Sequence, residues 1–195
     1  MLFDRCGCGY SVGEEEAEEE GRTRSALATM RELKPLSRDA VDAALAKAER
    51  YRFLNEPGEA ESICLDILAV DPSNQAALII LLLALTDQFG ESAEAHERAR
   101  ATLAALESEY DKAYYAGIIA ERRAKAQMAR AGVGSSAGAY DWITEAMRYF
   151  ERAEWLRPSG NDDARLRWNA CARFLDRHPH LRPAAEDIRE IEMLE

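Results

Sequence analysis

ALAKAERYRFLNEPGEAESICLDILAVDP, residues 44–72, is the most informative stretch of the chain. It reads as two helices joined by a Glu-Pro-Gly turn at 56–58 and closed by a second break at Asp71-Pro72. Proline at the first helical position supplies the backbone angle that a helix start needs. The residue before a proline avoids helical geometry, so Asp71 ends the second helix. Small residues at Ala44, Ala48 and Ala60 allow two helices to approach, while Tyr51, Ile63, Ile67 and Leu68 fill the space beside them.

The same alternation of helical periodicity and breaks continues in both directions and predicts seven helices between Arg38 and Arg177. The first spans about 38–54, behind Ser37 as N-cap and Asp39 in the first turn. The second runs from Pro57 to about Val70, capped by Asn55 or Glu56. The third, about 74–89, carries the run AALIILLLAL at 76–85 and is expected to be buried on several sides. Ser92 is placed to cap a fourth helix at about 93–108, with Ala95, Ala99, Leu103 and Leu106 as its core stripe. A fifth is expected at about 110–130, a Gly/Ser loop at 131–139, a sixth helix at 141–156 and a seventh from Asn161 or Asp162 to Arg177.

Outside this block the composition changes. Residues 1–36 contain the glutamate run at 14–20, whose like charges repel and bury nothing, and are expected to form a flexible acidic lead with at most a short helix at 25–33. The helical domain occupies 37–178, and 179–195 form an acidic tail with a possible last helix. The formal net charge of −11 disfavours nucleic acid or an anionic membrane surface as a partner. No apolar run reaches the roughly 20 residues of a membrane span. The N-terminus lacks the pattern of a secretory signal, and four scattered cysteines suit a reducing, cytoplasmic setting.

Tyr51, Ala60 and Pro72, and again Ala146, Phe150, Ala153 and Pro158, stand at spacings that resemble the tetratricopeptide repeat (TPR), a helix–turn–helix unit of about 34 residues. Gly117 is similar to the small residue of a third unit, and residues 50–89 resemble segments of uncharacterised bacterial TPR proteins. The resemblance implies an all-α fold: a short right-handed array of antiparallel helix pairs, about three units plus a C-terminal capping helix. Pro72 and Pro158 are 86 residues apart. Two units need only about 68, so the middle holds about 18 extra residues, of which the Gly/Ser loop is expected to take half.

In that family the first helix of each unit lines a concave groove. The resemblance therefore assigns partner contacts to Leu45, Glu49, Arg52 and Phe53, then to Ile79, Leu83, Thr86 and Asp87. In the third unit it assigns them to Tyr114, Ile118, Glu121 and Arg122, and on the seventh helix to Arg165, Trp168, Asn169 and Arg173. Glu49, Arg52, Phe53, Thr86, Asp87, Tyr114, Glu121, Arg122, Trp168, Asn169 and Arg173 are the principal candidates. Arginines among aromatics suit interface anchors.

Catalytic chemistry has little support in the sequence. Cys6-Gly-Cys8 is half of a thiolate site at most, with no second pair following. Cys64 and Cys171 fall on apolar helix faces, as core residues do. His178-Pro-His180 and Cys171 straddle a helix end that leaves their geometry undefined, and His96 sits on a charged helix face expected to be solvated. The loop GVGSSAG lacks the Gly-Lys-Ser/Thr of a phosphate-binding loop. The sequence thus points to a protein without cofactor or metal and without catalysis, which holds a protein or peptide partner in a groove. The alternative reading is a regulatory helical domain that takes a small molecule near Tyr114, Arg122 and Trp168.

Overall fold

The computed structural model describes residues 32–130 and 135–182. The boundary between two units of the chain falls between Lys34 and Pro35, and the description below concerns the second. The expected acidic run at 14–20, Cys6 and Cys8, and the possible helix in the C-terminal tail lie outside the described residues. Of the short helix expected at 25–33, only Glu32 and Leu33 are described, and neither is helical.

Every regular element among the described residues is helical. They are α1 (Val41–Phe53), α2 (Pro57–Val70), α3 (Gln75–Asp87), α4 (Glu94–Ala104), α5 (Glu109–Ala129), α6 (Ser135–Leu156) and α7 (Asp163–Arg177), with single 3-10 turns at Arg38–Ala40 and Pro179–Leu181. Each helix packs on the next along the chain. In addition α1 reaches α3, and α3 reaches α5.

Local chemistry accounts for most of the boundaries. At the end of α1, Asn55 adopts a left-handed φ of 61°. Its N–H donates to the Arg52 carbonyl, and the Glu56 N–H donates to the Tyr51 carbonyl, both at 3.0 Å. This is the Schellman arrangement, which satisfies carbonyls that the helix end leaves unpaired. Asn55 therefore closes α1, and Glu56 occupies the N-cap of α2 without a side-chain capping bond. A glycine fits the same backbone at no steric cost, whereas a Cβ without a local polar group is strained there. Asn55→Ala is expected to lower stability by about 1 kcal/mol and Asn55→Gly to hold or raise it. Thermal melting of the two variants checks the order; an Ala variant as stable as Gly would refute the strain argument.

Elsewhere Asn74 Oδ1 accepts the Ala77 N–H at the start of α3, and Ser92 Oγ accepts the Ala95 N–H before α4. The fourth helix is shorter than its periodicity suggested. It ends at Ala104, and Ser108 caps α5 by accepting the Asp111 N–H. Leu106 is buried from the connection rather than from the helix.

The main correction to the sequence reading concerns the Gly/Ser segment. Residues 135–139 are the first turn and a half of α6, not loop, and only 131–134 fall outside the described residues. Small residues suit this place because α6 runs close to α5: Ala139 is fully buried, and a Cβ on Gly138 would come within 2.5 Å of the Gln127 side-chain nitrogen. The surplus residues of the middle are thus taken up by helix. α5 and α6 have 21 and 22 residues, against 13, 14, 13 and 11 for α1 to α4. Together they form the most extensive helix contact in the protein.

Two main cores flank α5. The first runs from Ala48 and Cys64 through Leu78, Leu81, Leu82 and Leu85 to Ala99 and Ile119. As expected from its apolar run, α3 is buried on several sides. The second gathers Ile118, Ala124, Ile143, Phe150, Cys171 and Leu175 from α5, α6 and α7. Gly117 and Phe150 join the long pair, since a Cβ at 117 would lie only 2.5 Å from Phe150 Cε1.

Candidate functional site

The candidate groove residues separate into three groups. Arg52, Asp87 and Arg122 come together, one from each of α1, α3 and α5. Arg52 Nε donates to Asp87 Oδ2 at 2.9 Å, and Arg122 Nη1 donates to Asp87 Oδ1 at 2.7 Å. Both steps span 35 residues. The three side chains form a line across the C-terminal ends of α1 and α3, and all are half-buried. Bonds with ionised partners on both sides are among the stronger polar contacts in a protein. Arg122 is thus occupied inside the chain instead of projecting an unpaired guanidinium.

The second group is buried. Thr86 is 3 % exposed and Glu121 2 % exposed, so neither has surface to offer a partner. The Thr86 hydroxyl donates to the Leu83 carbonyl in its own helix. Glu121 Oε1 takes the Lys125 ammonium, and Arg167 of α7 lies 3.5 Å from Oε2, which accepts no hydrogen bond. Tyr114 is half-buried, stacked on Tyr110 and tilted against Phe150. These contacts place it between α5 and α6.

The third group is on the surface. Glu49 and Phe53 are exposed at i, i+4 positions of α1, and Phe53 is 83 % exposed. Asn169 and Arg173 are exposed with the same spacing on α7. Trp168 is half-buried, its indole N–H donating to Glu151 Oε1 at 2.9 Å. Tyr114 thus meets Phe150 of α6, Arg122 meets Asp87 of α3, and Trp168 meets Glu151 of α6.

A cleft lies elsewhere, where sequence reasoning placed no ligand. Phe89, Ser92, Ala93, His96, Glu97, Arg123, Ala126 and Arg130 line a recess of about 560 Å³ beside α4 and α5. A smaller recess of about 170 Å³ adjoins it, with Arg100, Leu103, Ile119, Trp142, Glu145 and Tyr149 in its wall, and shares His96 and Arg123. His96 is not solvated as its charged surroundings suggested: its side chain is only 16 % exposed, and its ring meets Phe89. Arg123 Nη1 donates to His96 Nε2 at 3.0 Å, which assigns the imidazole proton to Nδ1. Burial, and then the Arg123 charge, hold the His96 pKa below its ordinary value. The Arg123 guanidinium also covers the Trp142 ring, with Cζ 4.0 Å from the ring centroid. The sequence signal for this cleft was the run of His96, Arg100 and Leu103 on one face of α4, which lacked only the knowledge of what stands opposite.

Cys64 and Cys171 are fully buried, and burial pushes both thiols up to about 12, as befits core residues. Among the described residues, no group of three or more His, Cys, Asp or Glu is arranged to hold a metal ion. His178 belongs to the helix end: its ring packs on Phe174, and Nδ1 meets the Phe174 carbonyl. No described helix is long and apolar enough to cross a membrane.

Comparison with family models, curated protein sequences and solved structures finds no match to this chain.

Proposed function

We propose that the chain is a TPR-like interaction module that holds a segment of a partner protein, without catalysis, on the face formed by α1, α3 and α5. The observation that carries this reading is the Arg52–Asp87–Arg122 line. A spacing of 35 residues, taken twice, brings side chains from three alternate helices into direct contact. Contact at that period is what a repeat of about 34 residues produces when its first helices stand side by side. The residues that carry the family resemblance add support, since Ala60, Ala146, Phe150 and Ala153 are all fully buried at helix contacts.

On this reading the ion-paired line stiffens the face, and the exposed residues beside it make the contacts. A preformed surface loses little conformational entropy when it binds. Phe53 is the anchor best placed to act, being a large exposed aromatic next to the Arg52 end of the line. Exposed aromatics of this kind carry much of the energy of an interface once a partner covers them.

Affinity capture from lysate of the source organism tests the proposal, with Phe53→Asp compared against Trp155→Asp. Trp155, on α6, is 90 % exposed and serves as a control for aromatic adhesion. Phe53→Asp is expected to lose the specific partner, with affinity falling about thirtyfold, while its melting temperature stays close to that of the parent. Equal capture by the Phe53 variant, or equal loss from both variants, would move the binding surface away from α1.

A further inference from the structure

The α4–α5–α6 cleft gathers three arginines around one recess. In a chain with a net charge of −11, Arg123, Arg100 and Arg130 stand around it without a carboxylate partner within ion-pair distance among the described residues. Arg52, Arg98, Arg122, Arg157, Arg165 and Arg167 each have one, while Arg38, Arg50, Arg148, Arg173 and Arg177 lack one among the described residues as the cleft arginines do; what marks the cleft is that three such arginines gather around one recess. Arg123 is also held in place. Its Cζ lies over the Trp142 ring, one N–H is given to His96, and the remaining N–H groups have no described acceptor. A guanidinium held over an aromatic ring and by a hydrogen bond loses little freedom when it binds a carboxylate or phosphate edge. Arg130 gives one nitrogen to the Phe89 and Gly90 carbonyls and is fixed at the mouth.

The adjoining recess supplies the opposite character. Leu103, Ala116, Ile119 and Ala120 line it with apolar surface, Ile119 and Ala120 being buried. A cationic mouth beside a small apolar recess suits a ligand with one charged end and one apolar end.

We propose that this cleft binds a small organic anion, its carboxylate or phosphate held by Arg123 with Arg100 and Arg130 alongside, and its apolar part in the recess beside Leu103 and Ile119. The site is independent of the partner face of α1, α3 and α5. His96 makes the binding sensitive to pH. In the free protein its neutral Nε2 accepts from Arg123, and protonation would set two cations against each other. An anion between them removes that conflict, so binding takes up a proton, and affinity rises as pH falls through the His96 titration. The other charges facing His96 are Glu97 and Arg100 on α4, Arg130 on α5 and Glu145 on α6; Phe89, beyond α3, brings none. Glu97 is exposed at the rim and Glu145 sits in the recess wall, so the two carboxylates oppose an anion without filling the place beside Arg123.

The test is NMR of the histidine rings in the full chain, titrated separately with phenyl phosphate, benzoate and inorganic phosphate. A His96→Gln sample assigns the signal against His178 and His180. Saturable shifts of His96 are expected with phenyl phosphate or benzoate, and whichever binds more tightly identifies the head group. The His96 titration midpoint should rise by about one pH unit in the bound form. Arg123→Gln should weaken binding about tenfold or more, and Arg100→Gln, at an exposed position, about threefold. If Arg123→Gln fails to fold, the Arg100 variant decides. An unmoved His96 signal with all three probes at millimolar concentration would overturn the proposal. So would unchanged affinity in the folded arginine variants. Inorganic phosphate binding as tightly as phenyl phosphate would overturn the apolar half.

Discussion

Phe150→Ala is expected to destabilise the protein by about 3–5 kcal/mol, the usual cost of emptying a large aromatic site in a core. Phe150 is completely buried and sits in the contact between the two longest helices. Its ring lies against Gly117, where an added Cβ would come within 3 Å of three ring carbons. The consequence is a change of sign. In the parent, Gly117→Ala gains about 1 kcal/mol of helix propensity but loses about 1–3 kcal/mol to overpacking, so it destabilises or at best breaks even. With Phe150 already replaced by alanine the clash is gone, and Gly117→Ala should stabilise by up to about 1 kcal/mol. Denaturant unfolding of the two single variants and the double variant measures the coupling. Additive effects would mean that the helices separate easily and that the close packing is not a constraint.

Asp87→Ala is expected to cost about 2 kcal/mol, the next largest effect. The carboxylate accepts from two guanidinium groups, and bonds to charged partners are worth about 1.5–3 kcal/mol each before solvent screening. The three side chains are 17–33 % exposed, which reduces that figure. Removing Asp87 also leaves Arg52 and Arg122 facing each other. Arg52→Gln and Arg122→Gln should therefore each cost about 1 kcal/mol in the parent and almost nothing in the Asp87→Ala background. High salt should narrow the gap between parent and variant. Arg122→Glu should be worse than Arg122→Gln, because it sets a second carboxylate against Asp87. A stable Asp87→Ala protein would show that the line contributes no rigidity, and would leave Arg52 and Arg122 free to meet a partner.

The two experiments address different parts of the molecule. Phe150 and Gly117 belong to the α5–α6 contact, while Asp87 ties the C-terminal ends of α1 and α3 to the middle of α5. The Asp87 experiment also bears on the proposed partner face, since loosening the line should weaken binding even where Phe53 is intact.

Much of the helical order was legible in the residues themselves, because helix boundaries are set by local chemistry. Pro57, Asp71-Pro72 and Ser92 each act within a turn of their own position, and the helix boundaries beside them fall where these signals place them. The Gly/Ser segment at 135–139 was misread for the same reason: taken locally it is loop composition, and only the close approach of α5 turns small residues into helix. Burial within a helix was partly legible, as in α3, whose apolar run has no polar side. What each polar side chain touches was not. Arg52, Asp87 and Arg122 are 35 residues apart, Glu121 meets Arg167 from α7, and His96 meets Arg123 from α5. Those contacts depend on helix separations and crossing angles, which arise from the summed packing of many side chains and are written in no single motif. Sequence alone therefore determined most of the helical segments and which faces seek a core. Tertiary packing alone decided that Asp87 is shared by two arginines, that Glu121 is buried, and that a cationic cleft opens beside α4, because charge pairing acts through space over a few ångströms whatever the distance along the chain.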